Sequence, residues 1–223
     1  VVVDGDTTDR TYELAVKATK YDDRFTVVQQ SERMYGLYNL IFGWDWLNKN
    51  CESKSADVLL EVDGDDRLMH KFVLQKLDQI YKDENIWLTY GSHQRSTGEL
   101  IVCREYPDFV WNEKSHSSFG WWASQLRTYR RFLWDEVKHE DMKDKEGNFY
   151  RIAWDLSFIF PMLNMCEQKN VVAVQEPLLL YNIHENCDFI AQEGLQKKTD
   201  WEIRAKNRNA KYPYYKDMEH GKS

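Results

Sequence analysis

No stretch of these 223 residues approaches the roughly 20 consecutive apolar side chains that a membrane-spanning helix requires, so a membrane-embedded protein is not expected. The first residues also lack the basic, apolar and small-residue succession of a signal peptide, and the expectation is a soluble, cytoplasmic protein. Basic residues are in deficit, with 30 Lys and Arg against 37 Asp and Glu and a net charge of -7. That balance argues against non-specific nucleic-acid binding, which needs basic patches to neutralise phosphates. An anionic ligand would instead call for a metal bridge. Cysteine is sparse: Cys51, Cys103, Cys166 and Cys187 form neither a C-x-x-C pair nor a Cys/His cluster, which reads as reduced thiols without zinc. There is no internal repeat and no low-complexity tract. Aromatic side chains are plentiful, nine of them Trp, and most should form core or pocket wall because large rings bury the most area. A chain of this length suits a single domain.

The first half alternates strand and helix patterns. Strands are expected at 1–3, 25–29, 58–62 and 86–90, and helices at 12–20, 31–48 and 68–82, the last carrying Phe72, Leu74, Leu77 and Ile80 at near-helical spacing. Such alternation implies parallel pairing in an α/β sheet. Residues 92–118 read as irregular, 121–134 as a helix, 155–165 as an apolar helix, 171–174 with 178–181 as strand, and the tail beyond 188 as helical.

The chemistry-bearing signal is Asp63-Gly64-Asp65-Asp66, which closes the apolar run Val58-Leu59-Leu60-Glu61-Val62. Strands of α/β sheets deliver ligands at their carboxyl ends, and hard cations such as Mg2+ or Mn2+ prefer oxygen ligands shared with substrate phosphates. An Asp-rich turn after an ordinary strand is the plainer alternative. Asp4 follows the first strand and, in a parallel sheet, would share an edge and a crevice with Asp63 to Asp66, although it also suits a turn or helix cap.

These residues resemble the family-2-like glycosyltransferases of GT-A fold, which move a sugar from a nucleotide diphosphate to an acceptor hydroxyl. Val2-Val3-Asp4-Gly5-Asp6-Thr7-Thr8-Asp9 is similar to the family's second strand and its nucleotide loop, which would make Asp4 a nucleotide ligand. Arg33-Met34-Tyr35-Gly36-Leu37-Tyr38-Asn39 resembles the helix segment that faces the nucleotide or its phosphates through an Arg. Asp63-Gly64-Asp65-Asp66 resembles the family's D-x-D-D, with Asp63 near the ribose and Asp65 as metal ligand. Ser124-Gln125-Leu126-Arg127-Thr128-Tyr129 is similar to an S-H-L-R-T-F segment, with Gln125 where His is usual. The resemblance further implies a catalytic base at Asp155 in Ala153-Trp154-Asp155-Leu156 and a metal-side His184 after Leu180-Tyr181-Asn182-Ile183. The family's preceding strand has no counterpart before Val1, so the chain reads as one domain truncated at its amino end, with a nucleotide-binding half at 1–90, an acceptor-binding half at 91–190 and a helical tail at 191–223.

The fold expectation is α/β, a GT-A, Rossmann-like mixed and mostly parallel sheet flanked by helices. The function expectation is an inverting glycosyltransferase that uses Mn2+ or Mg2+, a UDP- or GDP-sugar donor and a glycan, lipid or protein acceptor. Duller readings stand beside several residues: a helix N-cap for Asp155, an exposed or core residue for His184, core for Trp121 and Trp122, and a solvated helix face for Arg127, Arg130 and Arg131. Two rival functions remain. One is a haloacid-dehalogenase-type phosphohydrolase with Asp4 as nucleophile, since Asp4-Gly5-Asp6-Thr7-Thr8 also fits D-x-D-x-T. The other is a non-catalytic nucleotide-sugar or carbohydrate-binding module.

Overall fold

The computed structural model describes residues 1–5, 7–185, 187, 190, 192–209 and 212–215, and the side chain of Asp4 lies outside that description. In chain order the principal elements are β1 (Val2–Asp4), α1 (Thr11–Thr19), β2 (Val27–Gln29), α2 (Tyr35–Asn50), β3 (Val58–Leu60), β4 (Arg67–Leu68), α3 (Val73–Tyr81), β5 (Leu88–Arg95) and β6 (Leu100–Ile101). They are followed by α4 (Asp108–Asn112), β7 (Thr128–Arg130), α5 (Arg131–Glu136), α6 (Leu156–Met165), β8 (Val171–Tyr181) and α7 (Glu193–Asn209). No helix among the described residues is long and apolar enough to cross a membrane.

The strands form a two-stranded sheet, β1-β2, and a six-stranded sheet in the order β3-β7-β5-β8-β4, with β6 paired to β5. The expected mixed α/β architecture with flanking helices is present, but its balance of pairings differs. Among the described strands, β1-β2 and β5-β8 are parallel, while β3-β7, β4-β8, β5-β6 and β5-β7 are antiparallel. Two of the four antiparallel pairs arise from β7, which enters between β3 and β5. It follows an irregular segment rather than a crossover helix, so it needs no parallel partner.

The helix expected over 121–134 is therefore corrected to a strand, Thr128–Arg130, followed by the short helix Arg131–Glu136. Thr128 and Tyr129 are side chains that fit a pleated, half-buried surface. Arg130 is buried because main-chain carbonyls await it: its guanidinium donates to Ile86 at 2.9 Å, Ala56 at 2.8 Å and Tyr81 at 3.0 Å. It is not a solvated helix residue. The irregular reading of 92–118 is also corrected at its start, where β5 runs on to Arg95 and pairs with β6. The expected helix over 68–82 begins later, at Val73, because Arg67–Leu68 pairs with β8 instead.

Helices cover both faces of the larger sheet. On one side Leu37 and Ile41 of α2, Leu133 of α5, Phe158 and Ile159 of α6 and Ile203 of α7 pack against Leu88, Tyr90 and Tyr129 of the strands. On the other, Val73 and Leu77 of α3 meet Val174, Leu178 and Leu179 of β8. Every residue of α6 is buried, so its N-terminus at Asp155 is fixed by a rigid element. Two glycines mark close approaches. A Cβ at Gly5 would stand 2.8 Å from Asn39 Nδ2, and one at Gly36 would stand 3.0 Å from the Trp154 indole. Only a hydrogen at these positions lets α2 sit against both the β1 turn and the segment leading into α6.

Candidate functional site

The acidic loop after β3 closes as a turn, with Asp66 N donating to Asp63 O at 3.0 Å. Asp66 then ties this loop to the end of β8, since Asn182 N donates to Asp66 Oδ1 at 2.8 Å. The tie brings His184 to Asp65: His184 Nε2 and Asp65 Oδ2 are 2.8 Å apart although 119 positions separate them in sequence. Both groups reach solvent. The Asp66 carboxyl is pushed up to about 6, chiefly by burial, against the Asn182 N–H and with further repulsion from Asp63 and Asp65. Its Oδ2 is buried and has no hydrogen-bond partner among the described residues.

A cavity of about 210 Å³ opens beside this loop, lined by Val1, Val3, Asn39, Glu61, Asp63 and Trp154 among others. Val3 of β1 and Asp63 thus share one cavity, although β1 belongs to the smaller sheet. The Asp4 side chain lies outside the described residues, as does Asp6. Asn39 anchors the cavity wall by accepting from Gln30 Nε2 at 3.2 Å.

Asp155 lines a second cavity, of about 390 Å³, with Trp121, Ala153 and residues of α7. It is the N-cap of α6 and accepts from Leu156 N at 3.1 Å. Its other oxygen meets Arg127 Nη1 at 3.0 Å. Arg127 is almost wholly buried and also faces Glu61, with Nε 3.3 Å from Oε1. Tyr129 donates its hydroxyl to Glu61 Oε2 at 3.2 Å. Burial pushes the Glu61 carboxyl up to about 7, opposed by Arg127 and reinforced by the charges of Asp63 and Asp155. Burial also works against the Arg127 charge, yet Asp155, Glu61 and Asp63 together hold its pKa above the ordinary value. A guanidinium thus spans the wall between the two cavities. Sequence reasoning gave Glu61 no role and read Arg127 as a solvated helix face, which its burial corrects. The available signal was an acid inside the apolar run 58–62 and a base ahead of a β-forming Thr-Tyr pair.

Arg33 stands elsewhere. It is exposed, its guanidinium lies 5.5 Å from the Tyr35 ring centroid, and it lines a separate cleft with Tyr35, Tyr38, Phe149 and Arg151. Trp121 and Trp122 are partly buried against the main core and are not helical. Trp121 meets Phe160 edge-on at 5.2 Å, and Trp122 stacks on Tyr106 at 5.5 Å.

The donor set was tested against a divalent cation. Among the described residues no group of three or more His, Cys, Asp or Glu side chains is arranged to hold a metal ion. Asp65 and His184 offer one carboxylate and one imidazole at a single point, with the carboxyls of Asp63 and Asp66 adding negative potential. A hard divalent ion at this pair would need most of its ligands from substrate phosphates and water.

No protein-family model matches this chain. No curated protein matches it either. Solved structures do. A structure of S. aureus TarS residues 1-349 aligns with TM-score 0.53 and 14% identity, covering 81% of this chain and 50% of that one. A second S. aureus TarS structure aligns with TM-score 0.56 and 16% identity, over 93% of this chain and 37% of the other. Glucosyl-3-phosphoglycerate synthase from Mycobacterium tuberculosis, in complex with phosphoglyceric acid, aligns with TM-score 0.51 and 13% identity, covering 93% of this chain and 68% of that one. The chain thus spans half or less of the two TarS structures. At these identities the likeness is one of fold, a GT-A-like α/β fold.

Proposed function

We propose that this chain is a metal-dependent glycosyltransferase that moves a sugar from a UDP- or GDP-sugar to the hydroxyl of a glycan, lipid or protein acceptor, with inversion. The observation that carries the reading is the meeting of Asp65 with His184 at 2.8 Å beside the cavity lined by Asp63. Fold likeness to glucosyl-3-phosphoglycerate synthase supports the same reading.

In this account Asp65 and His184 hold the cation, and Asp63 approaches the ribose. A bound divalent ion supplies charge stabilisation for the departing nucleotide diphosphate. Asp4 and Arg33 are assigned to the nucleotide on the sequence resemblance alone. Asp155 accepts the proton of the incoming hydroxyl as the new bond forms. Its placement supports that role: it is held by the end of a buried helix, faces a cavity walled by Trp121, and remains partly open to solvent. With one base and direct displacement no nucleophilic carboxylate is needed, and the anomeric configuration inverts.

The test is a panel of nucleotide sugars incubated with the protein and Mn2+, with and without EDTA, reading free UDP or GDP. Release that requires the metal is expected. Phosphate release from a generic phosphoester instead would favour a phosphohydrolase, and metal-dependent nucleotide binding without turnover would favour a binding module.

A further inference from the structure

Glu61 is a buried acid to which the reaction just described gives no task. It follows β3 directly, two residues before Asp63, and its two oxygens are engaged separately, Oε1 by Arg127 Nε at 3.3 Å and Oε2 by the Tyr129 hydroxyl at 3.2 Å. Arg127 in turn reaches Asp155 through a different nitrogen, Nη1, at 3.0 Å. Its guanidinium also lies 5.9 Å from the Trp121 ring centroid and feels the charge of Asp63 at longer range. A strand end, a buried cation and a helix N-cap are thereby joined in one line.

We propose that Glu61 is a positioning residue that acts through Arg127: it is the second counter-ion of the guanidinium, and it keeps Asp155 oriented while Asp155 changes charge. This rests on the glycosyltransferase reading. In the transfer step the acceptor oxygen bonds to the anomeric carbon and its proton passes to the Asp155 carboxylate. The bond from that carbon to the nucleotide diphosphate breaks, and the electron pair leaves with the diphosphate. Before the step Arg127 faces two carboxylates. After it, Asp155 is neutral and Glu61 is the carboxylate that remains. Without Glu61, proton uptake by Asp155 would leave the buried guanidinium with no carboxylate in direct contact, only the more distant charge of Asp63, and a poorly paired buried charge is among the costliest local arrangements a fold can hold. Glu61 removes that penalty from the step in which Asp155 works.

A second consequence concerns geometry. Arg127 anchored at one end only would be free to swing about its long side chain, and a base must sit within hydrogen-bond reach of the proton that it takes. Anchoring at Glu61 fixes the cation against the strand that carries the Asp63 loop. The donor-side and acceptor-side cavities are thereby held in register by a charge contact through the wall that separates them.

The variant that tests this is Glu61→Gln, which keeps the shape and removes the charge. Its kcat should fall by about 10- to 100-fold while the donor KM stays within about twofold, the pattern of an interaction needed in the transition state. The double variant Glu61→Gln/Asp155→Asn should be no slower than Asp155→Asn alone, because Glu61 acts through Asp155. An unchanged kcat in Glu61→Gln, or losses that multiply in the double variant, would overturn the proposal. A reading that needs no turnover is hydrogen exchange at the Arg127 Nε–H. It should remain slow in Asp155→Asn and become fast in Glu61→Leu, with thermal unfolding confirming that both variants are folded. If Glu61→Leu does not fold, the same exchange is read in Glu61→Gln, where faster exchange than in Asp155→Asn is expected. Equal protection in the Glu61 and Asp155 variants would show that Glu61 does not hold Arg127. Absence of turnover in the parent protein with every nucleotide sugar would defeat the transferase reading, and the exchange measurement would then decide the anchoring by itself.

Discussion

Arg127 joins two parts of the chain through charge, because it pairs with the buried Glu61 carboxyl and with the partly exposed Asp155 carboxylate. Replacing it by Ala leaves Glu61 and Asp155 facing each other without a cation, and loss of one partner from a buried pair costs on the order of 3–5 kcal/mol. Arg127→Ala should therefore lower the midpoint of chemical denaturation sharply. Glu61→Leu in the same background should recover part of the loss, since it removes one of the stranded charges. His116 offers a pH test of a different kind. It is fully buried, its Nδ1 pairs with Asn164 Oδ1 at 3.0 Å, and its pKa is lowered to about 4 mainly by burial. The folded state therefore resists the proton that the unfolded chain accepts near its ordinary value of 6.5. Stability from this residue is present above that value and is lost as pH falls towards about 4. In His116→Gln the decline in melting temperature between pH 6.5 and pH 4 should be shallower than in the parent. An equally steep decline would remove His116 as a contributor.

The approach of α2 to the segment before α6 depends on Gly36, and here local preference and tertiary packing pull in opposite directions. In an open helix Gly→Ala gains roughly 0.5–1 kcal/mol. At Gly36 the added Cβ would stand 3.0 Å from the Trp154 indole, and overpacking of this kind costs about 1–3 kcal/mol. Gly36→Ala should thus lower the unfolding midpoint and shift the tryptophan fluorescence. A stabilised variant would mean that Trp154 moves aside freely. The same conflict of levels explains what the sequence conveyed. Helices α2 and α6 are legible because their apolar residues agree with their burial. The segment 121–134 misleads because its Trp, Leu and Arg residues fit a helical pattern, whereas backbone acceptors elsewhere in the chain draw Arg130 into a strand. Those acceptors lie 44 to 74 positions away, and no local window contains them. Asp155 illustrates agreement, since its N-cap geometry was expected from the apolar run that follows it.

Seen whole, the molecule places a cavity at each end of a buried charge line, one lined by Val3 and Asp63 and the other by Asp155 and α7. The α/β class was legible from alternation of strand and helix. The insertion of β7 between β3 and β5 was not, because strand order is set by long-range pairing. The pairing of Asp65 with His184 could be expected only from resemblance, since 119 residues intervene. The contact of Glu61 with Arg127 was not legible, because 66 positions separate the two residues and each acquires its role only from the other. The account's central claim is that cation and nucleotide are held at Asp65 while proton removal belongs to Asp155. The most direct measurement compares Mn2+-dependent UDP or GDP binding and sugar transfer in the parent, Asp65→Asn and Asp155→Asn. Asp65→Asn should lose metal-dependent nucleotide binding, and Asp155→Asn should keep that binding while losing transfer. Full nucleotide binding in Asp65→Asn, or undiminished transfer in Asp155→Asn, would contradict it.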